Sequence, residues 1–461
     1  MSFKEAKFWS EKNGKIIIDH NRYVDFLKKY GFAIMVINDK SHELVKVKGN
    51  IIQNSTERNI IRVTMMFLKI YGDERVREAF TRGITSYTNP KKLLTLPNFK
   101  YEFERDEKST IKLYFKGKYV EITVDSIVAK DYNSLSTRVH FDRIMNHDIE
   151  LISDTETSTF ERFCFKISNE NVNRFNALKS VIGYLLHSYQ DPSNTKAIII
   201  VDENLSFEGE ANGGTGKGIL ASAIGKCRNM VTIDGKSWSG SSNFKNQRIE
   251  LSTDALFFDD VHKDFSLEDL YSMITSGITV EKKFKQPFFI AAEDSPKILI
   301  SSNYMVKGTG GSTDRRRRFE LEIFNYYDDT FSPHDDFEHL FFQDWDKEEL
   351  NRFYMFMFEC GKYYLQNGLV AYKSENLIRN KIVTETSLGF HEFIIKNSEE
   401  NKWLDKRKLL EDFNKQQKSI NEISSHQFTK FLKSYAKHKH LKYRDKSSGG
   451  KYLFLLESKK G

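Results

Sequence analysis

Three short apolar runs limit what this chain can fold into: "KAIIIVDE" (196–203), "DALFFDDV" (254–261) and "PKILISSNY" (296–304). Each is continuous rather than alternating, and each ends in polar residues. Runs of this length without a polar face read as strands buried on both sides, the situation in a parallel sheet covered by helices. The first run leads into the glycine-rich "GEANGGTGKGIL" (209–220), and "KGILASAIGKC" then carries a helical pattern. Repeated strand–loop–helix units predict an α/β fold with a mainly parallel sheet.

A glycine loop between a strand and a helix can wrap backbone N–H groups around phosphate oxygens, with the helix N-terminus and a lysine adding positive charge. Asn212, Gly213, Gly214, Thr215, Gly216, Lys217 and Gly218 are the candidate loop, with Lys217 reaching the β- and γ-phosphates. The pattern departs from the usual one twice. Ala211 stands where a glycine is usual, and Gly218 stands where Ser or Thr would hold Mg²⁺. Thr215 is the hydroxyl residue nearest that place.

A phosphate loop needs acids on a second strand, one for Mg²⁺ and one to polarise the attacking water. Asp259 and Asp260 close the run "ALFFDD", 42 residues after Lys217. Adjacent carboxylates at a strand end are poorly explained by core packing, and Ser266 is the better candidate to cap the helix that follows. Asn303 ends the third run and can hydrogen-bond water or phosphate. Arg315, Arg316, Arg317 and Arg318 follow in a row. Read as an extended segment, they point to both faces.

The ordered set "NGGTGKG", "LFFDD", "GITVEKKFKQPFFI", "ILISSN" and "RRRRFELEIF" resembles superfamily 3 helicases, in particular the helicase half of phage, plasmid and poxvirus-type primase–helicases. The resemblance covers residues 195–325. It implies an AAA+-like P-loop core that binds ATP and Mg²⁺, works as a homo-hexameric ring and pulls single-stranded DNA through a pore. Position by position it implies phosphate binding by Lys217, a Mg²⁺-bearing Asp259, water activation by Asp260, a γ-phosphate sensor in Asn303, and an arginine finger at Arg317 or Arg318. The alternation around "EKKFKQ" predicts a hairpin with Lys282, Lys283, Phe284 and Lys285 at its tip. Lysines beside an aromatic suit a single strand, and the family grips DNA there.

The charge of the chain is uneven. Residues 401–461 hold 16 Lys and Arg against 6 Asp and Glu, a balance of +10 on a chain of net +7, which leaves the rest at −3. A basic module on a near-neutral body suggests a polyanionic partner. Its order of three helices and a hairpin with an "SSGG" turn predicts a winged helix, with Ser425 capping the third helix and Lys430, Lys433 and Lys437 facing DNA.

The expected organisation is a mixed α/β N-terminal domain (1–135), a helical linker or collar (136–192), the P-loop core (193–330), a helical segment (331–386) and the winged helix (387–461). Cys164, Cys227 and Cys360 lie far apart, without metal-ligand or disulfide spacing. No apolar run suggests a membrane span, so the expected place is the host cytoplasm, near the nucleoid. Residues 1–130 lack the paired acids of a polymerase, so a separate primase or polymerase is the expected partner. The overall expectation is a replicative helicase acting on single-stranded and forked DNA. The alternatives are an ATP-binding origin initiator with little translocation, which Gly218 favours, and an ATPase acting on protein or RNA.

Overall fold

The computed structural model describes residues 6–153, 156–191, 193–203, 214–242, 244–417 and 422–458. Its centre is a five-stranded, all-parallel sheet. The strands are β1 (Ala197–Asp202), β2 (Met230–Asp234), β3 (Ala255–Asp259), β4 (Lys297–Ser302) and β5 (Arg318–Ile323), in the spatial order β2-β3-β4-β1-β5. All three apolar runs are strands of this sheet, and every residue of β1 and β4 is buried. Successive side chains of a strand point to opposite faces, so the runs feed two cores. Ile198, Ile200, Phe257 and Leu299 enter one core, packed by the helices Val172–Leu186, Lys217–Gly225 and Lys347–Asn367. Ile199, Val201, Phe258, Ile298 and Ile300 enter the other, with Trp238 and Phe265.

The connection order makes β1 a switch point. From β1 the chain crosses to the edge strand β2, steps back through β3 and β4, and then places β5 on the far side of β1. In open parallel sheets, ligands bind beyond the carboxyl ends of the strands at such a reversal. Lys217 follows β1 there.

The N-terminal region is mixed α/β. A five-stranded sheet carries the helices His20–Lys29, Glu57–Tyr71 and Glu74–Arg82 over an aromatic core that includes Phe8, Tyr23, Phe26 and Phe80. The strands Ile111–Phe115 and Lys118–Ile122 form an antiparallel hairpin. Its inner side chains join the core packed by the helices Val172–Leu186, Lys217–Gly225 and Lys347–Asn367. The segment 136–192 is not helical throughout. Val139–His140 and Ile144–Met145 each add a short parallel strand to an N-terminal sheet before the helices Thr159–Lys166 and Val172–Leu186 begin. Two-residue strands carry too few residues to show a period, so the pattern alone could not reveal them.

The C-terminal region holds the helices Leu388–Asn397, Lys406–Gln417 and Ser425–His438 and the hairpin Lys442–Ser448/Lys451–Glu457, turned at Gly449 and Gly450, both with positive φ. Ser424, not Ser425, caps the third helix, accepting from the Gln427 N–H. Leu404–Asp405 is a short strand paired with the hairpin. All three cysteines are buried and unpaired. Among the described residues no helix is long and apolar enough to cross a membrane.

Lys297, at the start of β4, is buried; its ammonium donates to the Tyr189 carbonyl at 2.7 Å and to Gln190 Oε1 at 3.0 Å. Burial drives its pKa down to about 7. The unfolded lysine titrates near ~10.4, so between about pH 7 and pH 10 the unfolded chain binds more protons and stability rises with pH. The stability difference between wild type and Lys297→Met, from urea midpoints, is therefore predicted to shift in favour of wild type over that window and to stay flat below it.

Candidate functional site

Three strands that end side by side bring the site together. Asp202 ends β1, Asp259 ends β3 with Asp260 after it, and Asn303 follows β4. The helix Lys217–Gly225 starts at the same end of the sheet. Gly216 immediately precedes it with φ 97°, a conformation open to glycine. A Cβ there would also stand 2.5 Å from the Phe163 ring, so the turn is closed to larger residues twice over. At Gly218 a Cβ would meet nothing within 4 Å. The missing hydroxyl is therefore not forced by lack of room. Ala211, Asn212 and Gly213 lie outside the described residues.

One continuous network links the polar groups. The Thr215 hydroxyl donates to Asp202 Oδ1 at 2.7 Å, and Asp202 Oδ2 pairs with the Lys217 ammonium. Lys217 Nζ also donates to Asn303 Oδ1 at 2.9 Å, and Asn303 Nδ2 donates to Asp260 Oδ1 at 2.9 Å. Asp260 Oδ2 pairs with Lys236 at 2.6 Å, and its N–H donates to Ser301 Oγ at 2.8 Å. Ser301 Oγ in turn donates to Asp259 Oδ1 at 2.9 Å. Thr215, Asp202 and Asn303 are buried and Asp259 is exposed. Asp260 is held at φ 49°, a left-handed conformation rare outside glycine, asparagine and aspartate, which turns its carboxylate toward Asn303.

Lys217, Asp260 and Asn303 thus share one hydrogen-bonded chain, and Ser301 ties Asp259 to it. Sequence reasoning missed Asp202, Ser301 and Lys236. Asp202 carries the same signal that singled out Asp259, an acid closing an apolar run. The donor set is oxygen-rich, as Mg²⁺ requires. Among the described residues no group of three or more His, Cys, Asp or Glu could hold a metal ion.

The arginine run is not extended. Arg315, Arg316 and Arg317 lie on the short helix Ser312–Arg317, and Arg318 opens β5. Arg318 is committed within the chain, to Asp314, Glu320 and the carbonyls of Val306 and Lys307. Arg317 donates to Thr275 Oγ1 at 3.1 Å and lies over the Tyr271 ring. Arg315 and Arg316 are exposed.

The hairpin forms between Ile278–Val280 and Phe288–Ile290. Lys282 is drawn back into an ion pair with Glu250. Lys283 and Lys285 stay exposed on either side of Phe284, whose side chain is fully exposed at φ 60°.

On the helix Ser425–His438, His426, Lys430, Lys433 and Lys437 are all exposed and recur at helical spacing on one face. Lys437 also pairs with Glu385 at 2.9 Å, and Lys439 with Glu375 at 2.7 Å. Burial works against the charge of Glu385, but hydrogen bonds from His438, Ser434 and Lys437 outweigh it and hold the carboxyl at about 2.

Residues 207–318 match a family described as being of unknown function (DUF5906). No curated protein matches the sequence. Among solved structures, the apo A form of the NrS-1 C-terminal region is similar over 95% of this chain and 99% of that one, with 12% identity and a TM-score of 0.47. A second structure of that region, spanning 305–718, is similar over 94% and 98%, with 10% identity and a TM-score of 0.43. Likenesses this distant assign no function.

The loop geometry gives a test that needs no ligand. Gly216→Ala is predicted to cost about 1–3 kcal/mol, the range for a residue forced into a strained backbone region. Gly218→Ala, entering open space, stays within about 0.5 kcal/mol of wild type. Urea denaturation of the two variants measures the contrast.

Proposed function

We propose that this chain is an ATP-driven DNA helicase of phage or mobile-element type, with its motor in residues 193–330. The observation that carries the reading is the chain of contacts from Lys217 through Asn303 to Asp260 at the carboxyl ends of adjacent parallel strands. Lysine, amide and carboxylate are the three groups needed at a γ-phosphate, for charge, for sensing and for polarising water. They stand in contact at the switch point, beyond the carboxyl ends of the strands, which is where open parallel sheets generally bind ligands.

In this reading Lys217 and the amides of the glycine loop hold the phosphates. Asp260, steered by Asn303 and Lys236, orients the attacking water. Asn303, touching both Lys217 and Asp260, senses whether a γ-phosphate is present. Asp259 is the acid on the metal side, and Mg²⁺ bound with ATP would neutralise phosphate charge there. The arginine finger passes to a neighbouring subunit of a ring, proposed as a homo-hexamer. The resemblance pointed to Arg317 or Arg318. Arg318 is tied to Asp314 and Glu320, so the exposed Arg315 and Arg316 are better able to reach a neighbour.

Lys283 and Lys285, flanking the exposed Phe284, are proposed to grip the single strand, with Lys282 anchoring the hairpin through Glu250. Residues 387–461 are proposed as a winged helix, supported by the order of helices and hairpin and by the basic stripe of Lys430, Lys433 and Lys437. It would engage duplex DNA at a fork or an origin. One observation favours a second reading, an ATP-binding initiator with little translocation: Gly218 supplies no hydroxyl for a metal.

Lys217→Ala is predicted to abolish binding of a fluorescent ATP analogue. The double variant Lys283→Ala/Lys285→Ala is predicted to bind the analogue normally. It should lower the slope of log affinity for single-stranded DNA against log salt by about 1.4, the value for two lost phosphate contacts. Fluorescence titrations read both. An unchanged salt slope would remove the hairpin from the DNA path.

A further inference from the structure

The helix Glu57–Tyr71 of the N-terminal domain has an outward face that the chain itself leaves bare. Arg62, Met66, Lys69 and Ile70 recur on it at helical spacing. Met66 is 58% exposed and Ile70 71%. Arg62, Met65, Met66 and Lys69 border an open groove of about 450 Å³, closed on its other side by Arg77 of the helix Glu74–Arg82. Among the described residues none of these three cations pairs with an acid, and Glu57, at the far end, is the only acid of the helix. Large apolar side chains left in water beside unpaired cations mark an interaction surface. Its electrostatic complement is apolar and acidic. A phosphate backbone would meet the cations but leave Met66 and Ile70 in water.

A surface of that description lies elsewhere on the same chain. Residues 328–346 hold seven Asp and Glu and no Lys or Arg. Asp336 pairs with Lys166. Asp328, Asp329, Asp335, Glu338, Asp344 and Asp346 are exposed, and among the described residues none has a lysine or arginine partner. Phe331 and Leu340, 39% and 46% exposed, stand among them. Phe341 and Trp345 anchor the segment in the core shared with the helix Lys217–Gly225, so its outer side chains project from a fixed base. Both surfaces are bare in a single copy, so neither covers the other within the chain.

We propose that these surfaces meet between copies: the basic, methionine-bearing face of one N-terminal domain docks on the acidic segment 328–346 of the next chain. The inference rests on the ring reading above only in that copies associate; it requires no ATP hydrolysis. Met66 and Ile70 cover Phe331 and Leu340, while Arg62, Lys69 and Arg77 meet the surplus acids. The contact joins two different patches, so it adds copies head to tail and closes a ring, where a self-complementary patch would stop at a two-fold dimer. The seam also falls beside the glycine loop. A Cβ on Gly214 would stand 3.8 Å from the Asp328 carbonyl oxygen, and the ring reading places a neighbouring subunit at that loop.

Sedimentation velocity of the full chain in low and in high salt, with and without a non-hydrolysable ATP analogue, tests this. Wild type is expected to assemble beyond a dimer and to loosen in high salt, where exposed charge pairs are screened. Arg62→Glu/Lys69→Glu and, separately, Asp329→Lys/Glu338→Lys are each expected to weaken association about tenfold or more, because like charges then face one another. Mixing these two variants, or combining the four substitutions in one chain, is expected to restore assembly, which a folding defect could not do. Met66→Ser/Ile70→Ser is expected to weaken association at both salts. Reversed variants that assemble as wild type does, or that no mixture rescues, would overturn the proposal and leave the ring to other surfaces. Arg62→Glu/Lys69→Glu that assembles normally but loses affinity for single-stranded DNA would also overturn it, making the face a nucleic-acid contact. Wild type that stays monomeric under every condition would overturn the ring reading itself, and the proposal with it.

Discussion

The contact of Lys217 with Asp202 and Asn303 depends on three parallel strands ending in step. β1, β4 and β3 lie adjacent in that order, so residues far apart in sequence meet at one edge. The register of the sheet is held by apolar side chains on both faces. A slip of one residue in any strand would exchange its two faces and carry its polar terminus away from the network. The chemistry of the site is thus a consequence of core packing. Phe258, for example, holds β3 in place between Trp238 and Phe265, and Asp260 follows two residues later.

Much of this is legible in the sequence. Continuous apolar runs identified β1, β3 and β4, because strands buried on both faces need no polar side. Lys217, Asp260 and Asn303 could be picked out because each sits at a strand or helix end where a polar residue has no packing reason to be. Asp202 met the same criterion, yet it stands 15 positions before Lys217, and that distance in sequence gave no hint that the two touch. The edge strand β2 has no residue run of comparable apolarity, and only part of it is buried, so its pattern was silent. Lys236, just beyond it, was silent for the same reason. The arginines were misread as extended because four like residues carry no period, and helical geometry at 315–317 comes from context.

Charge counting was informative about composition and misleading about availability. The excess of lysine in the last sixty or so residues suggested a polyanion-binding face, and an exposed stripe does exist. But Lys437 and Lys439 are also partnered by Glu385 and Glu375 on a neighbouring helix, and Lys282 by Glu250. Such pairs connect elements that sequence alone does not bring together. They reduce the charge a ligand would meet, and they leave Lys430, Lys433, Lys283 and Lys285 as the more accessible cations.

The central claim is that the network around Lys217 is a working ATP site coupled to DNA. Steady-state ATP hydrolysis with and without single-stranded DNA, compared between wild type and Lys217→Ala, tests it most directly. The account predicts turnover in wild type that DNA stimulates strongly and that disappears in the variant. ATP bound tightly but not hydrolysed, with or without DNA, would contradict a motor and leave a nucleotide-controlled switch.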